Sequence, residues 1–417
     1  MFWGVPMRST ATLLSALFVT AISCASASAS TFATLFKFSS ETAENPHGTV
    51  FRDKDGALYG TAYFFGPGGR GVVFKLSPPP EGKTKWSYDI LYSFTDGLGG
   101  AGPIGALVKD SSGALIGTAL QGGTENYGVI FKLTPPGKGQ TQWVESVIHN
   151  FSASEGNPSG DLLQDQNGNL YGTCDYSSSA QTYGQVFRLT PPQGQGDWTE
   201  DVLYVFQDRN DGYLPSPGLA GDGTALFGTT RYGGPADLGT VYQLSPPESG
   251  NGPWTKTVLH TFAGADGASP FAGVVEKNGK LFGTTSHGGD LDYGVVFQLA
   301  PPKPGHTDWK ETVIHSFTGG SDGRAPYEEL TIGKRGTLYG GTVGGGGFSK
   351  YGHGTIFSLT PPAAGQSQWT EQILHGFNDR DDGNSPARVW FDKSGTIYGV
   401  TQYGMSHNTG SVFQLTP

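Results

Sequence analysis

Charge is scarce in this chain. Asp, Glu, Lys and Arg supply 15% of its 417 residues, against about 25% in ordinary domains. What charge there is leans acidic, with a formal net charge of −10. A phosphate backbone is therefore repelled, and nucleic acid is excluded as a partner. Cysteine is nearly missing too: only Cys24 and Cys174 occur. If the first leaves with a leader, no internal disulfide can form, and stability must come from a packed core. The motifs of common chemistries are also absent. There is no Gly-x-Ser-x-Gly, no His-Glu-x-x-His, no phosphate loop and no dinucleotide fingerprint. No EF-hand-like run of alternating acids exists, and no apolar span follows the N-terminal region.

Glycine and proline are abundant. The 67 Gly and 27 Pro together make 94 of 417 residues, about twice the usual share. Aromatics reach 12%, which excludes a disordered chain. Gly does not fall at every third position, which excludes collagen. Dense turn residues with many aromatics leave no room for long helices and point to short strands.

The first 29 residues read as a secretory signal. Arg8 gives the positive end, Ser9 to Ser23 the short apolar run, and Cys24-Ala25-Ser26-Ala27-Ser28-Ala29-Ser30 the small-residue cleavage tract. Cleavage is expected near Ala27 or Ala29. Ala21-Ile22-Ser23-Cys24 weakly resembles a lipoprotein box, an alternative that would anchor the chain at Cys24. Either way the protein is expected outside the cytoplasm: secreted, periplasmic or at the cell surface. Residues 30–417 are expected to form one monomeric domain with no membrane span.

That domain is a repeat. Leu58-Tyr59-Gly60-Thr61 recurs at Leu115, Leu170, Leu226, Leu281, Leu338 and Ile397, and the glycines are spaced 57, 55, 56, 55, 57 and 59 residues apart. A second phrase follows each copy, as in Gly71-Val72-Val73-Phe74 and Gly294-Val295-Val296-Phe297. Next comes Pro-Pro, then Trp86, Trp143, Trp198, Trp254, Trp309 or Trp369, and eight residues on a Phe: Phe94, Phe151, Phe206, Phe262, Phe317 or Phe377. Each unit thus offers four short strands. The first starts near a Pro (Pro46, Pro103, Pro158, Pro217, Pro270, Pro326, Pro386), and the fourth runs from Trp to Phe. The repeats lie near 47–94, 103–151, 158–206, 217–262, 270–317, 326–377 and 386–417. Apolar neighbours such as Val72-Val73-Phe74 suit sheets packed on both faces. Radially stacked four-stranded sheets make a propeller.

The count shows how the ring closes. Seven copies of the second and third strands meet only six Trp-to-Phe strands, and the chain ends after the seventh third strand. The missing fourth strand lies at the start, Thr31 to Phe38, with Phe38 in the place of the terminal Phe. The expectation is an all-β, seven-bladed propeller whose N-terminal strand (31–38) completes the last blade and removes two open edges.

The phrase Phe262-Ala263-Gly264-Ala265-Asp266-Gly267-Ala268-Ser269-Pro270, with Leu281-Phe282-Gly283-Thr284-Thr285 and Gly294-Val295-Val296-Phe297-Gln298-Leu299, resembles the GloVer-type (Gloeo/Verruco) tandem repeat of bacterial extracytoplasmic proteins. The resemblance covers residues 31–417. It implies an exported protein. It implies no particular activity and supplies no catalytic residue.

Loops between fourth and first strands share a face with loops between second and third. The latter vary in length, so that face is where function is expected. Three features fall there. One position is mostly a ring: Phe64, Tyr176, Tyr232, His287 and Tyr403. These rings can stack on sugars or pack between blades. Asp-Gly pairs carry Asp211, Asp266, Asp322 and Asp382, with Asp96 and Glu155 as variants. Such carboxylates can bind Ca²⁺ or another divalent metal, or sugar hydroxyls; otherwise each Asp caps a turn. His287, His353, His407 and His47 can converge on a metal. His149, His260, His315 and His375 share one outer-strand position with Phe36, Tyr92 and Tyr204, which reads as packing. Breaks in the repeat occur at Lys277-Asn278, Lys334-Arg335 and the 348–353 insertion. The expected function is a binding module for a glycan or envelope polymer. A scaffold for an envelope protein and a metal-dependent lyase or hydrolase are the alternatives; no cofactor is required by the first two.

Overall fold

The second strand of every repeat carries a glycine because an aromatic ring takes the space its side chain would need. Gly60 pairs across the ladder with Phe74, and a Cβ on Gly60 would lie 2.7 Å from the Phe74 ring. The same pair recurs as Gly172 with Phe187 and Gly283 with Phe297, at 2.5 Å in both. The ring on the third strand thus covers the bare backbone of the second and fixes the register between them.

Repetition of that unit builds seven antiparallel sheets. The computed structural model describes Met1 and residues 30–95, 97–175, 183–194, 196–248, 252–347, 352–405 and 408–417. In the first blade the strands are Glu44–Arg52, Leu58–Phe64, Val72–Ser77 and Ser87–Ser93, paired in that order from the axis outward. The inner strands are short in later blades, down to Leu163–Gln164 and Thr331–Ile332. The sole helical turn among the described residues is the 3₁₀ turn Lys334–Gly336. No described helix is long and apolar enough to cross a membrane.

The ring closes as the strand count requires. Thr31–Lys37 runs antiparallel to the last strand, Ser411–Thr416, from Thr31 opposite Thr416 to Lys37 opposite Ser411. The chain is therefore an all-β, seven-bladed propeller. Its core lies between blades. The Phe that ends each outer strand meets the third-strand ring of the next blade edge-on: Phe94 with Phe131, Phe206 with Tyr242, Phe377 with Phe413. Phe38 does the same to Phe74, at 5.3 Å, so the join between last and first blades is built like the others.

One register detail differs from the sequence reading. In the fourth blade Pro215, not Pro217, takes the inner-strand position, opposite Thr230. The reason is steric. The glycine that opens each third strand packs on the next blade's proline, and a Cβ on Gly184 would lie 2.4 Å from Pro215. Pro217 sits two residues on, beside the channel.

A candidate site in the central channel

The inner strands meet around the axis. Two residues after the register proline stand Gly48, Gly105, Gly160, Pro217, Ala272, Glu328 and Arg388; next come Thr49, Ala106, Asp161, Gly218, Gly273, Glu329 and Val389. Small residues are needed where strands approach closely: a Cβ on Gly48 would overlap the Gly105 backbone, and one on Gly273 the Gly218 backbone. Against that background the third, sixth and seventh blades place Asp161, Glu328, Glu329 and Arg388 at the axis. Arg231, on the second strand of the fourth blade, and Asp175, just past the second strand of the third, add to these.

These groups engage one another. Arg388 Nη1 lies 3.1 Å from Glu329 Oε2 and 3.6 Å from Asp161 Oδ2. Asp161 also accepts the Ala106 N–H at 2.6 Å. Gln402 donates to Glu328 Oε1 at 3.4 Å. Ser159 donates to Asp175 Oδ1 at 2.9 Å. The Arg231 guanidinium rests 4.7 Å from the centre of the Phe271 ring, its Nε buried without a hydrogen-bond partner. Phe271 meets Tyr327 edge-on at 4.6 Å.

Were all four carboxyls ionised, the two guanidiniums would leave two negative charges uncompensated in a desolvated space. Burial, with Asp161 adding to it, pushes Glu328 up to about 7. Burial also pushes Glu329 up to about 7 against the pull of Arg388. Burial raises Asp175, with Arg231 opposing. His47 faces the same space, and burial lowers its pKa, so its imidazole is neutral at pH 7. Burial works against the Arg388 charge, but Glu329 and Asp161 hold the guanidinium protonated.

The channel has two chambers. One, of about 280 Å³, lies toward the variable-loop face and is lined by His47, Ser159, Arg231, Phe271, Tyr327, Glu328 and Gln402 among others. The second, of about 720 Å³, opens toward the opposite face, with Gln164, Asp222 and Thr331 in its wall. Asp161 and Glu329 border both. A larger groove, about 1100 Å³, lies between the fifth and sixth blades and gathers Lys277, Asn278, Lys280, Arg335 and Trp369. Two of the repeat breaks thus come together there.

Apart from His47, the residues singled out from the sequence lie elsewhere. Phe64 and Tyr403 are half exposed at the rim, Tyr232 stacks on Tyr213 at 5.3 Å, and His287 is exposed. None of them lines the channel. Strand alternation is the reason: the residue one earlier (Arg231, Val343, Gln402) points to the axis. Tyr176, His407 and Asp96 fall outside the described residues. So do most of the 348–353 insertion and residues 2–29 of the leader, Cys24 among them. The convergence of His47, His287 and His353 on a metal is not formed: no group of three metal-ligating side chains among the described residues includes any of them. His47 faces the axis and His287 the outer rim.

The loop carboxylates cap turns. Asp382 accepts the Asn378 N–H at 2.9 Å, Asp266 that of Ala263 at 2.8 Å, Asp322 that of Thr318 at 2.7 Å and Asp211 that of Gln207 at 3.0 Å. Each also meets the outer-strand ring: His375 at 2.8 Å, His260 at 2.9 Å, His315 at 3.6 Å and Tyr204 at 2.9 Å. Cys174 is fully buried, and burial holds its thiol protonated. The channel charges escaped the sequence reading, although a signal existed: charged residues stand where other repeats carry Gly, Ala, Thr or Pro.

Similar architectures are known. A puromycin-hydrolyzing peptidase of Mycobacterium tuberculosis aligns over 90% of this chain and 52% of its own, at 12% identity and a TM-score of 0.52. The extracellular domain of a hybrid two-component system from B. thetaiotaomicron aligns over 91% and 39%, at 10% identity and 0.51. A glucose dehydrogenase-type oxidoreductase from Thermus thermophilus aligns over 93% and 100%, at 15% identity and 0.47. At such identities the first two likenesses speak to the fold alone. No curated protein matches in sequence. Residues 20–242 and 140–348 match the model of the Gloeobacter/Verrucomicrobia repeat, and with the same repeat turning seven times about one axis, the chain belongs to that family.

Proposed function

We propose that the protein is an exported binding propeller that takes the end of a glycan into its channel from the variable-loop face. The observation that carries this reading is the set of charged side chains, Asp161, Glu328, Glu329 and Arg388, at axial positions where the other repeats keep small residues. A scaffold needs no such break, and burying charge is costly. A chamber of about 280 Å³ is at the small end of ligand sites and suits a sugar unit. The Phe271–Tyr327 wall offers an apolar face, and the carboxyls, Arg231 and Gln402 offer acceptors and donors for hydroxyls. Exposed Phe64 and Tyr403 at the rim suit the rest of a polymer chain.

The test is retention on a panel of immobilised polysaccharides. Glu328→Gln and Arg231→Met are expected to weaken retention at least tenfold, and Tyr403→Ala to weaken it less. Unchanged retention in the first two would refute channel binding. Silence across the whole panel would turn the search to envelope proteins.

A second reading rests on one observation. Glu328 and Glu329, both held near 7 beside Asp161, are tuned for proton transfer at neutral pH. Hydrolysis or elimination of a bound glycan, lost in Glu328→Gln with binding retained, would favour an enzyme.

A further inference from the structure

At the rim, neighbouring blades meet through one repeated constellation. It joins the outer-strand His or Tyr, the acid of the following loop, and the residue two past the Trp on the next blade. Between the second and third blades these are His149, Glu155 and Glu200. His149 Nε2 lies 2.8 Å from Glu155 Oε1 and 3.8 Å from Glu200 Oε2. One ligand atom from each residue lies within 4.8 Å of the others. The other Glu200 oxygen, Oε1, is buried without a hydrogen-bond partner. Two carboxylates therefore face one imidazole.

The next interface shows what such a place demands. There the ring is Tyr204, the acid Asp211, and the third residue is a lysine. Lys256 Nζ lies 2.8 Å from Asp211 Oδ1, its side chain only 3% exposed. At that interface the chain itself supplies the positive charge. Two further interfaces repeat the His–acid–Glu set, as His260, Asp266, Glu311 and His315, Asp322, Glu371. Glu311 and Glu371 again keep one buried oxygen without a hydrogen-bond partner, although that of Glu371 lies 3.3 Å from His315 Nε2. At the sixth-to-seventh interface Phe32 replaces the Glu and stacks on His375 at 3.9 Å. A carboxylate third residue is thus not needed to hold two blades together.

We propose that His149, Glu155 and Glu200 bind a divalent transition-metal ion of the Zn²⁺ type, which does between the second and third blades what the Lys256 ammonium does between the third and fourth. One imidazole nitrogen and two carboxylate oxygens form a suitable donor set. Ligand atoms around a tetrahedral Zn²⁺ stand about 3.3 Å apart, between the 2.8 and 3.8 Å separations seen here.

The full chain, stripped with chelator, is reloaded with Zn²⁺ and desalted, and bound metal per chain is measured with thermal unfolding. Wild type is expected to retain Zn²⁺ and to lose melting temperature on adding EDTA. His149→Tyr with Glu200→Lys rebuilds the fourth blade's arrangement. It is expected to fold and to retain one Zn²⁺ fewer, while Cys174 stays in place. Should it not fold, the near-isosteric Glu200→Gln is expected to weaken Zn²⁺ affinity at least tenfold. Wild type that retains no Zn²⁺, or variants that retain as much with equal affinity, would overturn the proposal. So would a melting temperature indifferent to EDTA.

Discussion

Replacing Phe38 by Ala tests whether the first strand is structural or an appendage. Phe38 is 3% exposed. Its ring meets Phe36 at 5.1 Å, Phe74 at 5.3 Å and Tyr88 at 6.0 Å, each near perpendicular or steeply tilted. Truncating a buried Phe costs about 3–5 kcal/mol. Unfolding about 390 residues at roughly 2.1 cal/mol/K per residue gives an entropy of about 0.8 kcal/mol/K. The melting temperature should therefore fall by about 4–6 °C. Phe206, 1% exposed and set against Tyr242 at 5.3 Å, is the matched control in mid-chain. Phe38→Ala and Phe206→Ala should cost the same within about 1 kcal/mol, measured by thermal or denaturant unfolding. A Phe38→Ala cost under about 1 kcal/mol, with Phe206→Ala at full cost, would mean that the first strand frays on its own. The closure argument would then fail.

Three further outcomes follow from the geometry. Gly283→Ala puts a Cβ 2.5 Å from the Phe297 ring and should destabilise by about 1–3 kcal/mol; a neutral effect by denaturant unfolding would refute the pairing of ring and bare backbone. Arg388→Met strips Glu329 and Asp161 of their cation and should cost about 3–5 kcal/mol, more at pH 8 than at pH 6, because Glu329 can protonate at the lower pH; an equal loss at both would count against it. In EDTA, the carboxyls held up to about 7 (Glu200, Glu311, Glu371, Glu328, Glu329) bind protons in the fold that the unfolded chain releases above about 4.5. Stability should therefore fall as pH rises from about 5 to 7. Burial-lowered His260 and His315 oppose this below 6.5, so melting should peak in mildly acidic buffer. A melting temperature higher at pH 8 than at pH 6 would contradict the sign.

The architecture was legible because it is written in local, repeated pairs. Gly60 and Phe74, or Gly283 and Phe297, lie fourteen residues apart in one hairpin, and that spacing recurs in every blade except the third, where it is fifteen, and the sixth, where it is seventeen. The closing strand was legible by subtraction, since six Trp-to-Phe strands cannot complete seven sheets. The turn role of Asp266 and Asp382 was legible as one of two readings, because an Asp before Gly acts on its own backbone. The rim rings were legible as a position but not as a direction. One residue of strand phase separates Tyr232, at the rim, from Arg231, at the axis.

By itself, then, the sequence determined the repeat, the blade count and the manner of closure, all of which rest on contacts within a blade or on simple counting. Only the tertiary structure decided the site. Asp161, Glu328 and Arg388 come from three blades and are separated by as many as 227 positions; nothing links them until the ring brings the inner strands to one axis. The same holds for His149 and Glu200, fifty-one positions apart. Burial completed the decision. Carboxyls that look ordinary in a list of residues are held protonated or poised for a cation by the water they have lost, and that loss exists only in the closed ring.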